Sequence, residues 1–294
     1  MQRIELNLDK GGMKPIVEAF EGLDYNQNFK INLIHERNKW VEVEKYPLLC
    51  SIVNEIKQSG NTCNIDLNCE SNCDQLNYAE RMGFLSFMDI DYDCKQKKWA
   101  GEGRFIEIEN ITNYYYPGEK LLNVFQKDFN FTFEEAHDIS VIFSEIANNC
   151  VIHSKSYGGC VLYCQKYPKH ESLNLFIVDS GIGIFKAMQS AEKYRKLNEL
   201  QVLKKSFEYE EGNGEGYGQG LFLVCQFIKR NLGYLRLVTG NYLYVINNGI
   251  EKFDYINTNY KGVVLNLGLP FDIKVTINDL MYEQINNYGK FNTL

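Results

Sequence analysis

Phe143 to Ser154 reads FSEIANNCVIHS, and its spacing decides how the surrounding chain is built. Glu145, Asn149 and His153 recur every four residues, so an α-helix carries all three on one face. Ile139, Phe143, Ile146 and Cys150 fall on the opposite face, the apolar stripe such a helix needs for packing. Thr132 and Glu135 have capping-box spacing, so the helix starts there and runs to about His153. A wet helix face is the ordinary explanation of a polar stripe. Asn149, a weak helix former at its centre, is the residue that this explanation accounts for least well.

Two apolar runs follow, GCVLYCQKY (159–167) and LNLFIVD (173–179), and both read as strands. The second ends in DSGIGI, Asp179 to Ile184: a carboxylate at a strand end, then two glycines that let backbone pass close under a flat ligand. Farther on, GNGEGYGQGL, Gly212 to Leu221, puts five glycines into ten residues ahead of an apolar helix from about Leu221 to Arg230. A helix N-terminus offers unpaired N–H groups and the positive end of the macrodipole, which together suit phosphate. A plain turn and a surface loop are the bland readings of these two stretches. Leu221 stands where a dinucleotide-binding turn needs its third glycine, and GxxxxGK[ST] occurs nowhere in the chain.

Taken in order, the three segments resemble the GHKL ATPases, the superfamily of gyrase, the heat-shock chaperone, histidine kinases and mismatch-repair ATPases. SEIANNCVIHS is similar to the N box, DSGIGI to the first glycine box, GYGQGL to the second, and KGVVLNLGLP (261–270) to the closing strand. The likeness spans roughly residues 118–270. It implies an α/β sandwich with a mixed sheet covered by helices on one face, and it implies ATP and Mg2+ as cofactors. Under it Asn149 is the magnesium ligand, Asp179 bonds the adenine amino group, and Gly181 and Gly183 shape the base pocket. Gly216, Gly218 and Gly220 belong to the lid and phosphate loop, with Leu221 and His153 in the nucleotide-binding set. Glu145 takes the position that activates water in the ATPase branches or serves a protein acceptor in the kinase branches. The charged stretch between the glycine boxes corresponds to the ATP lid, with Lys204 and Lys205 as candidate phosphate contacts against a solvated-surface alternative. The closing strand begins Gly262-Val263 where the family has Gly-Thr.

The N-terminal third alternates. INLIH (31–35) reads as a strand, YPLLCSIVNEIKQSG (46–60) as a helix, TCNIDLN (62–68) as a strand and DQLNYAERMGF (74–84) as a helix, an α/β pattern. A strand-like RFIEIENI (104–111) and a helix over Gly118 to Phe129 lead into the long helix, and a domain boundary is expected near residue 105. The order of elements and the ERMGF ending resemble a STAS-like domain. Where a phosphorylatable STAS domain has Asp-Ser, this chain has Glu44-Lys45-Tyr46-Pro47, so a docking role is expected there. The expected division is thus 1–105 STAS-like, 106–270 GHKL and 271–294 a C-terminal extension. His137 lies in the same helix as Asn149, not on a separate hairpin, which argues against a histidine autokinase. The N box is closer in style to the anti-sigma-factor serine kinases, which implies Ser/Thr phosphotransfer to a protein partner, a STAS-type or other regulator. ATP hydrolysis, and an ATP- or ADP-gated module without turnover, stay open beside it; a homodimer is implied only by analogy.

A net charge of −7 and a pI near 5.3 in 294 residues disfavour nucleic acid and anionic lipid as partners. No apolar run reaches the roughly 18 residues of a membrane span, and MQRIELNLDKGG lacks the apolar core of a signal peptide, so a cytoplasmic location is expected. Nine cysteines are spread through apolar runs, as reduced core thiols are. Cys63, Cys69 and Cys73 lack CxxC pairs, and Cys160 with Cys164 share one face of a strand; core packing is the expected role of both groups. DIDYDCKQKKWAGE, from Asp89, has Cys94 where a calcium loop needs glycine and Ala100 where it needs glutamate, which excludes calcium.

Overall fold

The computed structural model describes residues 1–21, 27–36, 39–69, 73–92, 105–112, 121–128, 131–209, 211–212 and 220–289. The chain opens with a parallel sheet whose strands β1 (Gln2–Asn7), β2 (Phe29–His35) and β3 (Cys63–Cys69) lie in sequence order. The helices α1 (Lys14–Phe20), α2 (Lys45–Gln58), α3 (Asp74–Arg81) and α4 (Phe84–Phe87) belong to the same part of the chain. The βαβα pattern expected from sequence is therefore extended by one unit at its start. Pro47 lies in the first turn of α2, where its missing N–H costs nothing. The helix expected over 74–84 breaks at Gly83, whose φ of +83° no other residue adopts comfortably.

At Phe105 the chain enters a second sheet, ordered β4 (Phe105–Ile111), β5 (Cys160–Tyr167), β6 (Ser172–Asp179), β8 (Ile250–Pro270) and β7 (Tyr234–Asn247). Every described pair in it is antiparallel, in place of the mixed sheet expected. For two of the four pairs connectivity dictates this: β5–β6 and β7–β8 are consecutive and hairpin-joined, so they must run in opposite directions. At the tip of the second hairpin Asn248 and Gly249 both have positive φ, as a tight two-residue turn requires.

Between β4 and β5 lie a π-helical turn, Val124–Asp128, and α5 (Phe133–His153). The expected capping box is present: Glu135 N–H donates to Thr132 Oγ1 at 3.3 Å, and Thr132 N–H to Glu135 Oε2 at 2.9 Å. Between β6 and β7 come α6 (Gly183–Met188), α7 (Glu199–Lys205) and α8 (Gly220–Arg230), and α9 (Ile277–Gly289) follows β8.

Both faces of the large sheet are covered, which is why β5 and β6 read as continuous apolar runs. Leu162, Cys164, Leu175 and Ile177 face a core shared with Ile139, Phe143 and Ile146 of α5 and Phe227 of α8. Val161, Tyr163, Phe176 and Val178 face a core shared with α2 and the parallel sheet. Cys160 and Cys164 are packed in the first of these cores, as expected. Polar ties accompany the second. Buried Glu55 of α2 accepts from the N–H groups of Gly158, at 2.7 Å, and Tyr157, at 3.2 Å, while Asn54 donates to the Gly158 carbonyl at 2.6 Å. Among the described residues no helix is long and apolar enough to cross a membrane.

Candidate functional site

The polar face of α5 looks onto a cavity of about 450 Å³ lined by Glu145, Asn149 and His153. The end of β6 adds Asp179, α6 adds Gly183 and Ile184, and α8 adds Gly220 and Leu221. Segments that sequence separates by up to seventy-six residues, from Glu145 to Leu221, thus meet at one place. Leu223, Leu237, Val263, Leu265 and Met188 give it an apolar wall, and Met281 of α9 brings the C-terminal extension into the same wall.

Asp179 ends its strand with its carboxyl buried. Oδ1 accepts from Gly181 N–H at 2.9 Å, and the Val263 N–H and the Cys150 thiol also bond to the side chain. Burial nevertheless outweighs these bonds and pushes its pKa up to about 7. The backbone beside it is packed too closely for side chains. A Cβ on Gly181 would meet the Ser154 carbonyl oxygen at 2.0 Å, and one on Gly262 would meet the Asp179 carbonyl oxygen at 1.9 Å. Gly183 has φ +74°, and its Cβ would stand 2.5 Å from the Lys261 carbonyl. Gly181 is therefore required by the end of α5, whose Ser154 carbonyl also accepts from Ile182 N–H at 2.7 Å. It does not itself line the cavity.

At the other end of the cavity Glu145 and Asn149 meet the first turn of α8. A Cβ placed on Gly220 would stand 2.5 Å from Glu145 Oε2 and 3.4 Å from Asn149 Nδ2. Burial raises the pKa of Glu145. Next to it Asn148 also lines the cavity, and its Oδ1 is buried with no hydrogen-bond partner among the described residues. A buried carbonyl oxygen left unpaired is costly unless a ligand or water reaches it. Sequence reading passes over Asn148, because its neighbour fits the helix spacing better.

Gly216 and Gly218 lie outside the described residues. Lys204 and Lys205 are engaged away from the cavity: Lys204 Nζ sits 5.6 Å from the centroid of the Phe253 ring, and Lys205 Nζ donates to Glu208 at 2.6 Å. From the lid segment Ser206, Glu211 and Gly212 line the cavity instead. Glu211 is held by Lys193 at 2.6 Å and by the Tyr194 hydroxyl, and its pKa is lowered by them. Thr239, also missed, is buried; its hydroxyl donates to the Gly262 carbonyl at 2.9 Å and accepts from Ile184 N–H at 3.3 Å, pinning the closing strand to α6.

Chemically the cavity is a largely apolar slot lined by the buried carboxyl of Asp179 and by the first described turn of α8. Its described lining includes the carboxyls of Glu145, Asp179 and Glu211 and no lysine or arginine. A polyanion entering it would meet like charge unless it brought a cation with it. Compared with protein-family models and with curated proteins, the sequence matches none of either.

Proposed function

We propose that this protein binds ATP with Mg2+ in the cavity between α5, β6 and α8, as a nucleotide-controlled switch of the GHKL type. The observation that carries the reading is the convergence of Glu145, Asn149, Asp179, Gly183 and Gly220 on one cavity of about 450 Å³, within the size range of small-molecule sites. Asp179 accepts a hydrogen bond from an exocyclic amine, and the apolar wall takes the flat base. Asn149 offers the magnesium ligand, with the unpaired Asn148 oxygen beside it as a second neutral donor, and the N-terminal turn of α8 receives phosphate. When bound, Mg2+ neutralises phosphate charge that this acidic lining otherwise repels.

Glu145 is the general base in this reading. Burial lifts its pKa toward the working pH, which favours proton acceptance from a water or a hydroxyl. The reaction is ATP hydrolysis or phosphoryl transfer to Ser or Thr of a protein partner, with the STAS-like N-terminal part as the docking element. A second reading, an ATP- or ADP-gated interaction module without turnover, is favoured by Val263, which puts methyl groups where the family's closing strand carries a hydroxyl. Single-turnover phosphate release at saturating protein tests both. Turnover reduced about 100-fold or more in Glu145→Ala supports the base. Equal, background-level release from wild type and variant rejects the enzyme and leaves the module.

A further inference from the structure

The parallel sheet carries a second constellation, remote in sequence from the cavity. β2 and β3 pair in register, so His35 and Cys69 are neighbours at the carboxyl ends of their strands. Cys73 stands at the N-cap of α3, directly after β3. The His35 ring nitrogen and the two sulfurs all lie within 4.8 Å of one another. His35 and Cys73 are buried and Cys69 is half-buried.

The histidine is aimed. Asp9, just past β1, accepts from Glu36 N–H at 2.8 Å through Oδ2, and its own N–H donates to Asn7 Oδ1 at 2.8 Å. Held this way, its Oδ1 lies 2.6 Å from His35 Nδ1. A carboxylate on Nδ1 takes that nitrogen's proton as a donor and leaves Nε2 with its lone pair. Nε2 points at Cys73 Sγ, 3.1 Å away. A carboxylate orienting one ring nitrogen while the other faces a thiol is the arrangement that supports metal-bound histidine.

We propose that His35 Nε2, Cys69 Sγ and Cys73 Sγ bind a thiophilic divalent cation, zinc first among them, with Asp9 as the positioning residue. Bonds of about 2.1 Å to nitrogen and 2.3 Å to sulfur at a tetrahedral angle put the two ligand atoms about 3.6 Å apart. The present 3.1 Å between Nε2 and Sγ therefore opens by about half an ångström on binding. Each thiol gives its proton to solvent as its sulfur binds. Two thiolates then balance the ion's charge. Among the described residues three side chains supply ligands to it. A nucleophilic role for Cys73 in an Asp–His–Cys relay is disfavoured, because its 1 % exposure leaves no room for a substrate at sulfur. The site ties β2, β3 and α3 together where the parallel sheet ends.

The test uses the full-length chain, stripped with chelator under reducing conditions and titrated with Co2+ as probe. The expected result is a thiolate-to-cobalt charge-transfer band and intense visible d–d bands saturating at one equivalent, with Zn2+ displacing both. Cys69→Ala and Cys73→Ala each lose the bands, whereas Cys63→Ala keeps them. Asp9→Asn, which keeps all three ligands, weakens Zn2+ binding at least tenfold, a loss expected of a positioning partner. Absence of a thiolate band in folded wild type, its survival in the Cys69→Ala/Cys73→Ala double variant, or a Cys69–Cys73 disulfide in reduced preparations would each overturn the site.

Discussion

If the proposed ATP site is right, Asp179 is the residue on which binding and stability pull in opposite directions. Its pKa in the folded chain is about 7, above the ordinary aspartate value, so folding favours the protonated form. The stability this contributes is complete below the unfolded-state pKa and is lost as pH rises through 7. Asp179→Asn is accordingly expected to be more stable than wild type at pH 8, by up to about 4 kcal/mol, and to show little advantage at pH 4. Urea melts at the two pH values measure it, and an unchanged difference between them contradicts the burial argument. On the proposed reading ATP affinity moves the other way: if only the carboxylate accepts from the base, affinity is expected to fall about tenfold per pH unit below 7. Gly262 gives a second prediction at this scale. Gly262→Ala places a methyl 1.9 Å from the Asp179 carbonyl oxygen, so a loss of roughly 2–4 kcal/mol in urea denaturation is expected, and a neutral substitution would mean that β8 lies farther from the end of β6 at this point.

Among elements, α5 was legible because all its signals agree. The capping box, the four-residue polar stripe and the opposing apolar stripe each specify the same helix. β5 and β6 were legible as apolar runs, although which core each side chain enters follows from the sheet alone. β1 went unread: QRIELN buries only Ile4 and Leu6, a short period-two signal that needs β2 beside it to count. The β7–β8 hairpin had its turn signal in Asn248-Gly249, but the β8 side of the tip, IEKFDYINTNY, is too polar to stand out. The His35, Cys69 and Cys73 cluster was not legible, because parallel register, not spacing along the chain, brings a histidine thirty-four residues upstream against the cysteines. α2 supplies the prediction here. Glu55→Ala strands the buried N–H of Gly158 and the N–H of Tyr157, so destabilisation of about 2–4 kcal/mol is expected together with faster amide exchange at 157–158. Protection unchanged at those amides would show that α2 does not hold this turn.

For the whole molecule, the two sheets are joined through the back of the candidate site. Ser51 of α2 lies 2.9 Å from the Ser180 hydroxyl, which lies 3.2 Å from that of Tyr260, and Tyr260 donates to the Asp179 carbonyl at 2.8 Å. A ligand that orders Asp179 therefore also orders α2. Amide exchange with and without ATP and Mg2+ is expected to slow at 179–184 and at 51–55 alike; protection confined to the large sheet would leave the N-terminal part uncoupled. On the proposed reading, nucleotide binding also depends on a cation. ATP binding in this cavity is decided by calorimetric titration of wild type and Asn149→Ala with ATP, each with Mg2+ and with EDTA. Saturable binding by wild type that weakens at least tenfold without Mg2+, and equally on loss of Asn149, is the predicted result. Binding indifferent to both the metal and Asn149, or no binding by folded wild type, would contradict the account.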